Sequence, residues 1–215
     1  MLVTGATGYL GRPLVALAVA RGHRVCAFVR PGSEEKVPAG ASLARGDALA
    51  ASDLTAALSP GDTLVHLVGT ARPSPAKAQQ FQDVDLPSIR ASTAAAAAAG
   101  VAHIVYVSVA HPAPLMHAYI AVREQGEALV RATGIPATIL RPWYVLGPGH
   151  WWPYALVPLY WLAEQIPSKR ETAQRLGLVT HRQMVTALMS AIECGPEGAG
   201  IIYVPEIRRA ALPPQ

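Results

Sequence analysis

The sequence is sparing of cysteine. Two are present in 215 residues, Cys26 and Cys194, far apart and without metal-ligand spacing. That leaves neither a disulfide framework nor a zinc module, and it fits reduced thiols in a cytoplasmic protein. Long apolar runs are also missing, although 51% of the residues are hydrophobic. No run of about 18 apolar residues is unbroken, so no membrane span is expected. The most apolar stretch, 93–109, contains Gly100 and His103 and reads as a helix end, a turn and a buried strand. There is no block of like charge. The net charge of +4 comes from scattered arginines, which argues against nucleic acid and suits an anionic small molecule. The chain opens on an apolar strand, so no signal peptide is expected. The seven histidines show no ligand spacing on one element, and no metal site is expected. No internal repeat is present, and the alanine run Ala94–Ala99 reads as helix that packs closely on a sheet.

What is present is strong alternation of strand and helix. Met1–Thr4 is a short apolar strand, Gly5-Ala6-Thr7-Gly8-Tyr9-Leu10-Gly11 follows at once, and Arg12–Ala18 reads as helix. A second strand at His23–Val29 completes a βαβ unit. Further strands are expected at Ser42–Arg45, Thr63–Val68, Ala102–Ser108, Ala137–Leu140 and Gly200–Val204. Helices are expected at Ser52–Leu58, with Ser52 as N-cap, at Gln79–Ala99 closed by Gly100, at His117–Thr133 closed by Gly134, at Trp151–Gln165 and at His181–Glu193. Glu34–Gly40 and Gly69–Ala78 read as loops. Such alternation predicts an α/β fold, a doubly wound parallel sheet with helices on both faces. The whole chain, 1–215, is expected to form one dinucleotide-binding domain of the Rossmann type, with 143–215 adding a small aromatic-rich portion on the substrate side.

The glycine loop has a mechanical reading. Gly5 permits a sharp exit from the strand, Gly8 allows a pyrophosphate close to the backbone, and Gly11 lets the helix pack on the sheet. The helix N-terminus then offers N–H groups and a positive dipole end to phosphate. A tight turn without a ligand is the plainer alternative, and the βαβ context favours the ligand. Arg30 ends the second strand where an acid would hold an NAD ribose, and it would accommodate the 2′-phosphate of NADP. Glu34 and Glu35 lie close enough in sequence to turn back to a ribose. Asp47, after the third strand, and Val68-Gly69-Thr70, after the fourth, border the same crevice. Ser108 ends a buried strand beside it. Tyr119 and Arg123 stand four apart on one helix face. A cation beside a phenol favours its ionised form, which suits proton exchange near neutral pH. The competing possibility pairs Arg123 with Glu127, also four residues on.

Thr4–Gly11, Gly46-Asp47, Tyr106-Val107-Ser108, Tyr119-x-x-x-Arg123-x-x-x-Glu127 and Thr138-Ile139-Leu140-Arg141-Pro142 occur in the order and spacing of the short-chain dehydrogenase/reductases. The chain resembles in particular the atypical branch of NAD(P)H-binding, NmrA-like and epimerase-like proteins, well over 1–149 and loosely beyond. The resemblance implies that Gly5, Thr7, Gly8, Tyr9, Leu10 and Gly11 hold the pyrophosphate, Arg30 the 2′-phosphate and Asp47 the adenine. It places Val68, Gly69 and Thr70 near the ribose, and Pro142 against the nicotinamide. Ser108 would polarise a substrate carbonyl and Tyr119 would exchange its proton. The family pattern has lysine where this chain has Arg123, a planar fork in place of a point charge. Binding survives such a change better than catalysis.

Aromatics are scarce except in one place. All four tryptophans fall between Trp143 and Trp161, with Tyr144, Tyr154 and Tyr160. The stretch follows the sixth strand, so Trp143, Trp151 and Trp152 are expected to line a pocket for a flat or apolar substrate. A protein interface is the next reading, and a membrane surface the least favoured. His111 and His117 flank the crevice loop. The leading function is an oxidoreductase that uses NADP, with NAD possible, on a small carbonyl, alcohol or quinone-like compound. The second is a sensor or assembly subunit that holds NADP(H) without turnover, as NmrA-like regulators and a respiratory complex I accessory subunit do by resemblance. A sugar-nucleotide epimerase is third, because the C-terminal part is short for a sugar-nucleotide lobe. A small-molecule substrate is expected, and an oligomer is possible.

Overall fold

The computed structural model describes residues 1–148 and 166–211. Seven parallel strands form one sheet in the order β3-β2-β1-β4-β5-β6-β9. They are β1 (Leu2–Thr4), β2 (Cys26–Val29), β3 (Ser42–Arg45), β4 (Thr63–His66), β5 (His103–Val107), β6 (Ala137–Arg141) and β9 (Gly200–Tyr203). Two further strands, β7 (Tyr144–Leu146) and β8 (Leu178–Thr180), pair with each other in parallel. The helices are α1 (Gly11–Ala20), α2 (Ala51–Ala57), α3 (Ala78–Gln80), α4 (Leu86–Ala99), α5 (His117–Ala132), α6 (Pro167–Arg175), α7 (His181–Cys194) and α8 (Val204–Arg209). The expected Rossmann-type fold is present. The expected helix at Trp151–Gln165 lies outside the described residues.

Period-two alternation gives the sheet two buried faces. Val3, Val65, Val105 and Leu140 face one way, onto Leu14, Val15 and Ala18 of α1 and Met184 and Leu188 of α7. Leu2, Leu64, Ile104 and Ile139 face the other way, onto Leu54 of α2, Ile89 and Ala95 of α4 and Val122 and Val130 of α5. Alanines at 95 and 96 are fully buried, so the alanine run packs closely on the sheet, as its small side chains allow.

Several boundaries differ from the expectation for physical reasons. The α2 helix starts at Ala51, and its N-cap position, Ala50, makes no side-chain cap. Ser52 does not cap: its hydroxyl donates to Asp53 Oδ1 at 3.3 Å, and Asp53 Oδ2 instead accepts the Asp47 N–H at 2.9 Å. The expected long helix 79–99 contains a π-helical turn at Phe81–Asp85, between α3 and α4. Pro87 sits in the first turn after it and has no N–H to give, so a widened turn there sacrifices little. Glu34–Lys36 and Pro75–Lys77 form short 3-10 turns inside the expected loops. The α4 helix closes at Gly100, whose φ of 66° is left-handed.

Candidate active site

The glycine loop leaves β1 through Gly5 at φ 66°, and a Cβ there would lie 2.7 Å from the Leu67 carbonyl oxygen. Only glycine fits both demands. The Gly8 N–H then donates to the Gly5 oxygen at 2.9 Å, and a side chain on Gly11 would run into that same oxygen. The loop is thus folded on itself, with Thr7 and Leu10 half-buried and Gly8 and Tyr9 exposed at its rim. No acidic residue occupies the first turn of α1, so nothing in that turn repels an anion at the dipole's positive end. The residues present fit a pyrophosphate. Tyr9 is also tied to the C-terminal part of the chain. Its carbonyl accepts from His181 Nε2 at 2.8 Å, and its ring meets the His181 ring edge-on at 4.4 Å.

Arg30 is exposed just past β2, and no acid stands at that position. Gly46 closes against Phe28 and Asp53, and exposed Asp47 makes a turn of its own, Oδ1 accepting the Leu49 N–H at 3.0 Å. Val68 and Thr70 are half-buried and Gly69 is exposed. Thr70 gives both its N–H, at 2.9 Å, and its hydroxyl, at 2.6 Å, to Asp85 Oδ2.

Asp85 is the centre that sequence reading missed. It lies on the π turn, is 2% exposed, and receives Arg123 Nη2 on its other oxygen at 2.7 Å. Arg123 is 6% exposed and also donates through Nη1 to the Val107 carbonyl at 3.0 Å. A side chain on Gly69 would run into Arg123 Nη2. Burial disfavours the charge of Arg123, yet Tyr119, Tyr106 and Asp85 together hold it more firmly protonated than an ordinary arginine. Its guanidinium lies over the Tyr119 ring at 5.0 Å from the centroid, a cation–π geometry. Tyr119 is half-buried and also packs on Phe81 at 4.9 Å. Tyr119, Arg123, Gly69 and Thr70 therefore come together at one end of the sheet, and the possible pairing of Arg123 with Glu127 does not form.

Glu127 has other partners. It is 1% exposed and accepts the Ser108 hydroxyl at 2.7 Å, Arg131 Nη2 at 2.7 Å and Arg141 Nε at 2.8 Å. His111 Nε2 lies 3.5 Å from it, while His111 Nδ1 faces Glu124 at 3.1 Å. Burial opposes its charge, but the hydrogen bonds from Arg141, Ser108 and Arg131 prevail and hold its pKa at about 2. Ser108 is itself 2% exposed. Its single proton is committed to Glu127 in this arrangement. The Arg141 guanidinium also lies over the Tyr203 ring at 5.6 Å. The spacing of Arg131 from Glu127 was a legible signal for this cluster, and Arg141 stood in a recognised motif without a role.

Pro142 is buried and Trp143 half-buried directly after β6. Trp151 and Trp152 lie outside the described residues. Among the described residues no group of three potential ligands could hold a metal, and no helix is long and apolar enough to cross a membrane.

A parallel sheet in the order 3-2-1-4-5-6, with a glycine loop between its first strand and first helix, defines a dinucleotide-binding protein. The family model described as NAD(P)H-binding matches residues 5–148. The chain belongs to that family. It is 28% identical over 96% of its length to ceramide reductase of Caulobacter vibrioides, and spans 64% of that protein. It is 29% identical over 68% of its length to sterol demethylase protein B of Methylococcus capsulatus, and spans 52% of it. The chain is thus shorter than both relatives, covering under two thirds of either. The solved structure of MoeE5 in complex with UDP-glucuronic acid and NAD superposes with a TM-score of 0.68 at 23% identity, covering 96% of this chain and 79% of that one.

Proposed function

We propose that the protein is an NADP(H)-dependent reductase acting on the carbonyl of an apolar, lipid-like compound. The observation that carries this reading is the Tyr119–Arg123 stack, anchored by Asp85 beside Gly69 and Thr70. The dinucleotide, when bound, supplies the hydride. The glycine loop holds its pyrophosphate, with Arg30 toward a 2′-phosphate and Asp47 toward the adenine. Reduction builds negative charge on the carbonyl oxygen, and the Tyr119 hydroxyl donates its proton there. Arg123 keeps a fixed positive charge against the Tyr119 ring, beside the place where negative charge develops in the reaction. The substrate class rests on two supports. The two relatives are named for a ceramide and a sterol, both lipids, and Trp143 opens the aromatic segment directly after β6.

A specific observation favours a second reading, an NADP(H)-binding protein without turnover. Ser108 gives its proton to Glu127 and has none left for a carbonyl. The two readings part in one assay, oxidation of NADPH in the presence of a long-chain aliphatic ketone dispersed in detergent. The reductase consumes NADPH, and Tyr119→Phe lowers turnover by about 10²-fold or more with NADPH affinity changed less than twofold. A wild-type protein that binds NADPH but turns over neither long- nor short-chain ketones is the non-catalytic binder.

A further inference from the structure

The ends of β2 and β3 bring a second arginine, Arg45, near Arg30, the residue proposed above to meet a 2′-phosphate. Val29 is the register partner of Arg45, and the Gly46 N–H donates to the Val29 carbonyl at 3.1 Å. Arg45 therefore stands across from Val29, and Arg30, one residue further along, lies diagonally from it at the end of the neighbouring strand. Arg45 has 64% of its side chain exposed, and its Nε donates to Glu34 Oε1 at 2.7 Å. Glu34 reaches it because the chain turns back after β2: the Ser33 N–H donates to the Arg30 carbonyl at 3.1 Å, and Gly32 takes a left-handed φ of 82°. The hydrogen bond from Arg45 holds the Glu34 carboxyl below the ordinary carboxylate range, so the pair is fully charged at neutral pH.

We propose that Arg45 is a second ligand for the 2′-phosphate of NADP(H), and that the Glu34 carboxylate is an internal competitor which the phosphate displaces from it. A carboxylate and a phosphate make the same charge-assisted bond to a guanidinium. Without the phosphate, Glu34 satisfies Arg45. With it, two guanidiniums flank a dianion and Glu34 swings to solvent. The ion pair thus lowers NADP affinity and leaves NAD affinity untouched, setting how strongly the protein discriminates between them. The inference rests on the dinucleotide-binding reading, but not on NADP being the preferred cofactor.

Calorimetric titration with 2′,5′-ADP and with 5′-AMP tests it on the full chain. All three residues are exposed or half-buried, so the variants leave the core intact. Glu34→Gln should tighten 2′,5′-ADP about two- to fivefold, the scale of a surface ion pair, and leave 5′-AMP unchanged. Arg45→Gln should weaken 2′,5′-ADP and abolish the effect of Glu34→Gln in the double variant. If Glu34→Gln alters both ligands equally, or alters neither, the competitor role is overturned. If the wild type prefers 5′-AMP and Glu34→Gln still tightens 2′,5′-ADP, the inference stands while the NADP preference falls.

Discussion

Asp85 and Arg123 are each more than nine-tenths buried, so their pair follows the energetics of charges out of water. Removing one partner leaves the other uncompensated, which costs about 3–5 kcal/mol, whereas replacing both with apolar groups is far less damaging. Asp85→Ala should therefore lower unfolding stability in urea by about that amount. Asp85→Ala with Arg123→Leu should lose less than the sum of the single changes. Additive losses would mean that the two side chains act independently. Arg123→Lys is a subtler change. Lysine reaches one acceptor as a point charge, while Arg123 spans Asp85 and the Val107 carbonyl with two nitrogens. Lysine would thus free a donor to turn toward the crevice at some expense in anchoring. At this scale Tyr119 and Arg123 were legible as neighbours from their spacing alone. Asp85 was not, because its contact with Arg123 spans 38 residues and depends on a π turn that no periodic pattern announces.

Among the elements, the first βαβ unit was the most legible, since a strand, three glycines and a helix occur together within twenty residues. Gly11 of that loop and Gly22, outside it, have different tasks, and substitution separates them. Gly11 has an ordinary φ, but a side chain on it would run into the Gly5 carbonyl and the Ala6 backbone. Gly22, past the end of α1, has a left-handed φ of 83° and nothing within 4 Å of a Cβ. Gly22→Ala should cost only backbone strain, about 1 kcal/mol, with NADPH affinity unchanged. Gly11→Ala should force the glycine loop apart, costing about 1–3 kcal/mol and tenfold or more in NADPH affinity by fluorescence titration. Equal effects of both on affinity would show that the loop's closure does not matter for binding. The C-terminal elements were less legible. The strands β7 and β8 are three residues each, too short to show alternation. The helix α6 begins at Pro167 in a polar stretch with no apolar stripe to mark it. The helix expected at His181–Glu193 is present as His181–Cys194, where a capping box from Thr180 and Gln183 precedes a strongly amphipathic run.

Over the whole molecule, the buried titratable groups set how the fold responds to acid. His66 is 1% exposed in β4, with Nδ1 2.9 Å from Ser92 Oγ, and burial plus the charge of Arg123 push its pKa down to about 3. His103 in β5 is likewise buried, and burial lowers its pKa below the ordinary histidine value. In the unfolded chain both take up a proton as the pH falls through about 6.5. The folded protein resists, so the unfolded state binds more protons and stability falls with falling pH. The loss for His66 continues to about pH 3, at up to about 1.4 kcal/mol per pH unit. Glu127 adds to it later. Its folded pKa of about 2 lies below the ordinary 4.5, so its contribution is complete above about pH 4.5 and is lost as the pH drops toward 2. The signs agree, and the acid-side loss should begin near pH 6.5 rather than near 4, where carboxylates alone would place it. Urea midpoints measured at pH 7.5, 6.5, 5.5 and 4.5 should decline steadily below 6.5. Asn can keep a hydrogen bond to Ser92 but cannot take up the proton. His66→Asn should therefore flatten the decline between 6.5 and 4.5, whatever it does to the midpoint at 7.5. A variant with the wild-type slope would show that His66 is not the group responsible, and that the electrostatic strain of the sheet lies elsewhere.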